Sequence, residues 1–145
     1  MFNTFAGSRS QSNPGGPLRR PKVVIIEDDE RLREMLAVSL RMHGYFVRTA
    51  GDGLSGLRVL EVVDPDVVVL DLRLPLANGF EVLHELRTWK RTRRVPVIAI
   101  SGSEDGIRQA QTNPDVFTTL PKPFLTEDLL SAVVRATKGA AAGPS

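Results

Sequence analysis

Short runs of branched apolar residues recur along the chain, and each is followed by a segment with apolar residues at helical spacing. The near-continuous apolar character of these runs is typical of strands buried on both faces of a parallel sheet. The predicted strands are residues 22–26, 45–49, 67–70, 95–100 and 115–120. From Lys22 onward the chain therefore alternates strand and helix five times, which predicts a doubly wound α/β sheet.

The predicted helices differ in strength. The helix over 30–43 carries an apolar stripe that we expect in the core, formed by Leu32, Met35, Leu36, Val38 and Leu40. Two further helices are predicted over about 53–63 and from Asn78 or Gly79 onward. The segment 103–113 has only Ile107 and Ala110 as apolar anchors, so we expect a marginal helix there. A last helix begins near Thr126 and gives way to a frayed tail at Lys138.

The ends of the chain have a different composition from its middle. Residues 1–21 are rich in Gly, Pro, Ser and Asn, which predicts a disordered N-terminal extension. Residues 22–138 form the predicted folded domain, and residues 139–145 the predicted disordered tail. At 145 residues, with 41% hydrophobic and 25% charged residues, the composition is that of one soluble globular domain.

The sequence lacks cysteine and long apolar segments, and each absence excludes a class of function. The sequence contains no cysteine, which excludes disulfides, thiolate metal ligands and thiol nucleophiles from this chain. No apolar stretch is long enough for a membrane span or a secretion signal. We therefore expect a cytoplasmic protein with no membrane partner.

The formal charge of +2 is unevenly distributed. Residues 1–22 contain four basic residues and no acid, so the rest of the chain is slightly acidic. One dense basic patch surrounds Trp89 and consists of Arg87, Lys90, Arg91, Arg93 and Arg94. This patch is either a solvated loop opposite the candidate site or a contact surface for a partner or nucleic acid.

Charged residues follow three of the predicted strands. Glu27, Asp28 and Asp29 follow the first, Asp71 closes the third, and Lys122 follows the fifth. In an open α/β sheet the carboxyl ends of the strands form the ligand-binding edge. Carboxylates gathered there repel one another unless a cation or phosphate chemistry offsets the repulsion. The pattern therefore indicates a phosphate-handling site, with Asp29 expected as the N-cap of the following helix.

Four segments resemble a known family. VVIIEDDERLREML, VVVLDLRLPLANGFEVL, VIAISGS and LPKPF are similar, in this order, to the signature segments of the receiver domain of bacterial two-component response regulators. The resemblance covers roughly residues 22–137. It implies a flavodoxin-like fold, with five parallel strands in the order 2-1-3-4-5. It also implies an aspartate that accepts a phosphoryl group from a phosphohistidine of a sensor kinase.

The resemblance assigns a role to each charged residue. Asp71 is the expected nucleophile and phosphorylation site, forming an acyl phosphate. A Mg²⁺ ion is expected on Asp28 and Asp71, with Glu27 holding a coordinated water. The family also uses the main-chain carbonyl two residues past the nucleophile, which here belongs to Arg73. Lys122, on a cis peptide bond to Pro123 in the family, is expected against the phosphoryl oxygens.

Switching is expected to involve the hydroxyl of Ser101, which follows the fourth strand and can turn toward a new phosphoryl group. In the family this movement is coupled to an aromatic residue three positions before the lysine. Thr119 occupies that position here. Phe117, two residues earlier and predicted on the same strand face, is the available substitute, so we expect an atypical switch.

The expected function is that of a single-domain response regulator. Its expected partners are a sensor histidine kinase or a histidine phosphotransfer protein, and a downstream protein target. We expect no DNA-binding domain, because the sequence ends just after the fifth helix, and we allow for a homodimer on phosphorylation. The expected protein is a phosphoacceptor that assists its own phosphotransfer and dephosphorylation, not an enzyme acting on separate substrates.

Two other functions are weighed against this one. Phosphatases of the haloacid dehalogenase type also combine a strand-end aspartate, magnesium and a lysine, but they need an acid where this chain has Arg73. An interaction module that keeps the fold without being phosphorylated stays open because of Thr119. Dinucleotide binding is excluded, since no Gly-rich turn follows the first strand.

Overall fold

The computed structural model describes residues 19–142, with side chains described for residues 19–138. Most of the predicted N-terminal extension, residues 1–18, lies outside the described part. Among the described residues of this extension, Arg19 forms an ion pair with Asp66, with 2.9 Å between a guanidinium nitrogen and Oδ1. The predicted tail at 139–145 is wrong in part, because the last helix continues to Ala142, and residues 143–145 lie outside the described residues.

Five parallel strands form one sheet in the order β2-β1-β3-β4-β5, as predicted. The strands are β1 (Lys22–Ile26), β2 (Phe46–Ala50), β3 (Val67–Asp71), β4 (Val97–Ser101) and β5 (Thr118–Pro121). The helices are α1 (Glu30–Met42), α2 (Gly53–Val62), α3 (Gly79–Thr88), α4 (Glu104–Gln111) and α5 (Thr126–Ala142). The alternation that the sequence predicts is therefore confirmed.

The strands β4 and β5 begin at least two residues later than predicted, because turns occupy the first residues of the predicted strands. The amide of Val95 donates to the Thr92 carbonyl, which closes a turn before β4. Before β5, the amide of Val116 donates to the Asn113 carbonyl. Since these amides already have partners within a turn, Val95 and Val116 stay outside the sheet, and its first hydrogen bonds at these ends involve the Pro96 carbonyl and the Phe117 amide.

Helices cover both faces of the sheet. One core layer, beneath α1 and α5, includes Val23, Ile25, Leu36 and Leu129. The opposite layer, beneath α2 and α3, includes Val24, Ile26, Leu60 and Leu83. Alternate residues of β1 thus point to opposite layers, as the pleat of a strand requires. The two-sided burial explains why the central strands β1, β3 and β4 are almost wholly apolar, whereas the edge strands β2 and β5 include polar residues.

The apolar stripe predicted on α1 is wrong at two positions. Leu36 and Leu40 are buried, but Met35 is 48% exposed and Val38 is 43% exposed. The inward arc of α1 also contains Ala37, and Met35 and Val38 flank that arc. The predicted marginal helix does form, as α4, with Ile107 and Ala110 buried and Ser103 as N-cap. No helix within residues 19–142 is long and apolar enough to cross a membrane.

Candidate functional site

The predicted site residues meet at the carboxyl edge of the sheet. In the strand register Ile26 pairs with Leu70, and Ser101 pairs with Pro121, so the residues that end or follow these strands are neighbours. This edge brings together the side chains of Glu27, Asp28, Asp71 and Lys122. The gathering follows from parallel pairing alone, because every parallel strand ends at the same edge.

Asp71 is the last residue of β3, and its side chain is almost completely buried. Its Oδ1 accepts a hydrogen bond from the Arg73 amide at 2.9 Å. Its Oδ2 lies 3.1 Å from the Nζ of Lys122. One amide and one ammonium therefore fix the orientation of a carboxylate at the end of the central strand.

Glu27 is the other buried acid of the site. Its Oε2 accepts a hydrogen bond from the Asp29 amide at 2.9 Å, and its Oε1 lies 2.8 Å from Lys122 Nζ. Burial raises the pKa of the Glu27 carboxyl to about 7, and Asp71 adds to this, although Lys122 and the Asp29 amide act in the opposite direction. The Glu27 carboxyl therefore gains or loses its proton near neutral pH.

Lys122 joins the two buried carboxylates with a single ammonium group. Burial by itself lowers the pKa of Lys122, but the contacts with Glu27 and Asp71 outweigh it, so the pKa lies above its ordinary value. The Lys122 amide donates to the Ser101 carbonyl at 2.8 Å, and the peptide bond to Pro123 is cis, as the resemblance implies. Lys122 is therefore charged and anchored to β4.

The acids of this edge fit a divalent cation. Glu27, Asp28 and Asp71 each offer one carboxylate oxygen, and these oxygens lie within 4.8 Å of one another. Glu27 Oε1 is buried and accepts no hydrogen bond with proper angles from the described residues, although it contacts the Lys122 ammonium. An all-oxygen set of this kind suits Mg²⁺, which needs few protein ligands and keeps several waters. Asp28 is exposed, which leaves the site open to solvent.

Ser101 ends β4 beside the acids, and its side chain is buried. Its Oγ accepts a hydrogen bond from the Ser103 amide at 3.0 Å. This bond ties the hydroxyl to the segment that caps α4 at Ser103. A movement of the Ser101 hydroxyl toward Asp71 would thus break a contact at the start of α4.

The expected aromatic partner of this movement is missing. Thr119 is half-buried and pairs in register with Ala99, on the sheet face that α4 covers. Phe117 precedes β5, and the centroid of its ring lies 5.9 Å from the guanidinium carbon of Arg135 on α5. Its role as a substitute for the aromatic residue stays a prediction.

Two glycines near the site have a role that sequence reasoning missed. A Cβ at position 79 would lie 2.5 Å from the Asp71 carbonyl oxygen, and a Cβ at position 53 would lie 1.9 Å from the Ala77 carbonyl oxygen. The loop between β3 and α3 therefore passes close to two helix starts. The Asn78-Gly79 pair indicated only a helix start, since the close approach depends on the folded loop.

A cleft of 410 Å³ opens beside the site. Ser101, Ser103 and Ile107 line one side of it, and Pro121 and Lys122 line the other. The Lys122 ammonium thus borders both the acids and a solvent-filled cleft.

The sequence profile of the response regulator receiver domain matches residues 23–134. The chain therefore belongs to the response regulator receiver domain family, a class of phosphoacceptor signalling modules. Solved receiver domains have the same fold. The chemotaxis response regulator CheY4 of Vibrio cholerae superposes with a TM-score of 0.74 at 26% identity, covering 81% of this chain and 98% of that one.

A second solved structure is the receiver domain of sensor histidine kinase PA1611 from Pseudomonas aeruginosa. It has a TM-score of 0.76 at 28% identity, covering 83% of this chain and 99% of that one. That structure is described with a magnesium ion coordinated in its active site cleft.

Curated relatives correct one prediction. The DNA-binding dual master transcriptional regulator RpaA of Synechocystis sp. is 35% identical over 116 residues, covering 78% of this chain and 47% of that protein. The probable transcriptional regulatory protein TcrX of Mycobacterium tuberculosis is 36% identical, covering 79% of this chain and 50% of that protein. The chain thus spans about half the length of these relatives. The prediction of a partner set with no DNA-binding domain is wrong on this comparison.

Proposed function

We propose that the chain accepts a phosphoryl group from a phosphohistidine of a sensor kinase onto the carboxylate of Asp71. The observation that carries this proposal is the placement of Asp71, which is buried, fixed by an amide and an ammonium, and flanked by two other acids. A structural carboxylate does not need this surplus of negative charge. A phosphoacceptor does, because these acids would hold a cation that offsets the charge of the incoming phosphoryl group.

The transfer forms one bond and breaks one bond. A carboxylate oxygen of Asp71 bonds to phosphorus as the phosphorus–nitrogen bond of the donor breaks, and the imidazole leaves with the electron pair. The Lys122 ammonium, now 3.1 Å from Asp71 Oδ2, stabilises the charge on the phosphoryl oxygens. The chain therefore contributes positioning and charge stabilisation, and it acts as substrate in its own modification.

Mg²⁺ would be held by Asp28 and Asp71, with Glu27 on a coordinated water and the Arg73 carbonyl as a further ligand. When bound, it supplies positive charge that offsets the repulsion between the acids and the incoming phosphoryl group. The raised pKa of Glu27 supports this assignment, because a buried carboxyl without a sufficient cation retains its proton.

The output of phosphorylation begins at Ser101. We propose that its hydroxyl leaves the Ser103 amide and donates a hydrogen bond to the phosphoryl group on Asp71. The loss of that contact changes the start of α4 and so the surface formed by α4 and β5. Because the relatives are transcriptional regulators, we propose that this surface controls a DNA-binding effector.

Intact-mass spectrometry with a small phosphorus–nitrogen donor, phosphoramidate, tests the proposal. With Mg²⁺ present, the chain should gain about 80 Da, the mass of one phosphoryl group. Asp71→Asn should abolish the gain. Asp29→Asn is the matched control, because Asn also caps helices and the position borders the same edge. A gain that survives Asp71→Asn, or no gain in the native chain, would refute the proposal.

A second candidate is an interaction module that keeps the fold without phosphorylation. Thr119 at the position of the usual aromatic residue favours it, since the familiar coupling through β5 is absent. The same mass measurement separates the two, because this candidate predicts no phosphoryl addition at any residue.

A further inference from the structure

The basic patch around Trp89 lies at the edge of the sheet opposite Asp71. The loop 89–96 ends where β4 begins, and the loop 112–117 ends where β5 begins. Both loops therefore lie at the amino ends of the strands, and the site lies at the carboxyl ends. The function proposed for Asp71 makes no use of this patch.

Two arginines of the patch hold the loop together. Arg87 donates to the carbonyls of Thr92 and Val95 and across to the carbonyl of Asp115. Arg91 donates to the carbonyl of Leu60 at the end of α2 and pairs with Asp64. These guanidinium groups satisfy main-chain carbonyls, so they serve the fold.

The buried Thr92 makes the loop rigid. Its hydroxyl donates to the Leu86 carbonyl at 2.7 Å, and its amide donates to the Trp89 carbonyl. Lys90, Arg93 and Arg94 project from this rigid turn and are exposed. Within the described side chains, 19–138, no carboxylate lies within ion-pair distance of these three cations. A hydrogen-bonded turn thus presents three positive charges that have no carboxylate partner among the described side chains.

A groove of 370 Å³ separates the two loops. Arg87, Arg93 and Arg94 line it on one side, and Asp115 and Phe117 line it on the other. Phe117 is 43% exposed, and the centroid of its ring lies 5.9 Å from the guanidinium carbon of Arg135. Asp115 is the only acid lining the groove, and its Oδ1 lies 3.8 Å from Nε of Arg87. Because Asp115 pairs with Arg87, the net positive charge of the groove comes from Arg93 and Arg94, beside the aromatic ring of Phe117.

We propose that this groove binds the phosphodiester backbone of a nucleic acid. Arginine forks match phosphate oxygens bidentately, and the groove presents arginines where a general anion site needs only point charges. A charged groove with an accessible aromatic ring is also the arrangement by which proteins hold nucleic acid strands. An acidic peptide would satisfy the charges but would make no use of a ring that can stack on a base.

Fluorescence anisotropy with the full chain, unphosphorylated and without Mg²⁺, tests this proposal apart from the phosphoacceptor function. The probes are labelled duplex DNA and single-stranded DNA of equal length, at salt concentrations between about 50 and 200 mM. Each phosphate contacted contributes about −0.9 to the slope of log affinity against log salt. If Arg93 and Arg94 in the groove and Lys90 and Arg135 beside it each contact one phosphate, the expected slope is about −3.6.

The double variant Arg93→Glu/Arg94→Glu should weaken binding by at least about tenfold and reduce the slope by about two. The matched control Arg31→Glu/Arg48→Glu makes the same charge change at exposed sites on α1 and on the far edge strand β2. The control should change the affinity by no more than about twofold, through net charge alone.

The comparison of the two DNA probes also shows whether the groove prefers single-stranded or duplex DNA. Preference for the single strand supports stacking on Phe117 as part of the site, and preference for the duplex supports a backbone contact alone. Equal losses in the variant and the control would overturn the proposal. Displacement of the DNA by poly-glutamate at equal charge concentration would also overturn it, because it would show a general anion surface.

Discussion

At the scale of residues, the site contains three carboxyl groups and only one ammonium group among the described side chains. Two buried carboxylates share one ammonium, and a third, exposed carboxylate faces them. Because unpaired charge in the interior costs several kcal/mol, at least one of these groups must respond to pH or to a bound cation. Glu27 is that group, since its pKa lies well above the ordinary range of a carboxyl.

The pKa of Glu27 predicts how stability depends on pH. In the metal-free fold its pKa is about 7, above its value in the unfolded chain, so the fold binds a proton that the unfolded chain has released. This contribution is present at low pH and is lost as the pH rises from about 4.5 through about 7. Urea unfolding at a series of pH values, with chelator present, measures the effect.

Glu27→Gln should flatten the pH dependence in that window, because glutamine has no proton to lose. The difference in unfolding free energy between the native chain and Glu27→Gln is the quantity to compare. A difference that is constant from pH 5 to about pH 8 would show that Glu27 ionises normally.

A substitution of Lys122 tests the contribution of its ammonium group to the stability of the site. Lys122→Met leaves Glu27 and Asp71 facing each other without their ammonium, so we expect a loss of roughly 1–3 kcal/mol of stability without metal. Mg²⁺ should recover part of this loss, since a bound cation takes over the same task. Thermal unfolding with and without Mg²⁺ measures both effects, and a variant as stable as the native chain would contradict the charge balance.

At the scale of elements, a loop passes so close to the sheet that only glycine fits. Gly79 begins α3, and a side chain there would meet the Asp71 carbonyl and the Leu72 backbone. The loop before it contains Leu76 and Ala77 at φ values of 54° and 85°, which non-glycine residues rarely adopt. The position of Asp71 therefore depends on the packing of this loop.

Gly79→Ala should cost at least about 2 kcal/mol, because backbone atoms on both sides have little room to move. It should also slow phosphorylation, since the new Cβ would displace the main chain of Asp71. Gly102→Ala is the matched control beside the same site, where the nearest atom to the new Cβ is Lys122 Cβ at 3.9 Å. The control should stay within about 0.5 kcal/mol of the native chain in urea unfolding, and equal losses would contradict the account.

The sequence predicts which strands and helices form better than it predicts where they begin and which side chains they bury. Branched apolar runs locate the central strands β1, β3 and β4, because burial on both faces leaves few polar positions in them. The edge strands β2 and β5 include polar residues and are located by the alternation of strand and helix. The starts of β4 and β5 are missed because the turns at Val95 and Val116 capture the amides first. Likewise, the exposure of Met35 depends on which arc of α1 meets the sheet, and the periodicity alone does not determine that arc.

The site is predictable as a set of residues but not as a set of contacts. Parallel strands must end together, so the sequence alone brings Asp28, Asp71 and Lys122 to one edge. The contact of Glu27 Oε1 with the Lys122 ammonium and the hydrogen bond from the Ser103 amide to Ser101 Oγ depend on side-chain rotamers in the folded chain. The roles assigned to Arg73 and Thr119 rest on the resemblance and stay predictions.

At the scale of the whole molecule, the two edges of the sheet carry opposite charge patterns. The carboxyl edge gathers Glu27, Asp28 and Asp71, and the amino edge presents Lys90, Arg93 and Arg94. The strands between them are only four or five residues long. A cation at one edge and a polyanion at the other can therefore bind without competing for the same residues.

The central claim is that the acids at the carboxyl edge act as a phosphoacceptor only together with a divalent cation. The most direct measurement is the rate of phosphoryl addition, followed by intact mass, against Mg²⁺ concentration for the native chain and for Asp28→Asn. The account predicts a rate that saturates with Mg²⁺ and is lost in chelator, with Asp28→Asn needing at least about tenfold more Mg²⁺. A rate that is the same with Mg²⁺ and with chelator would contradict it.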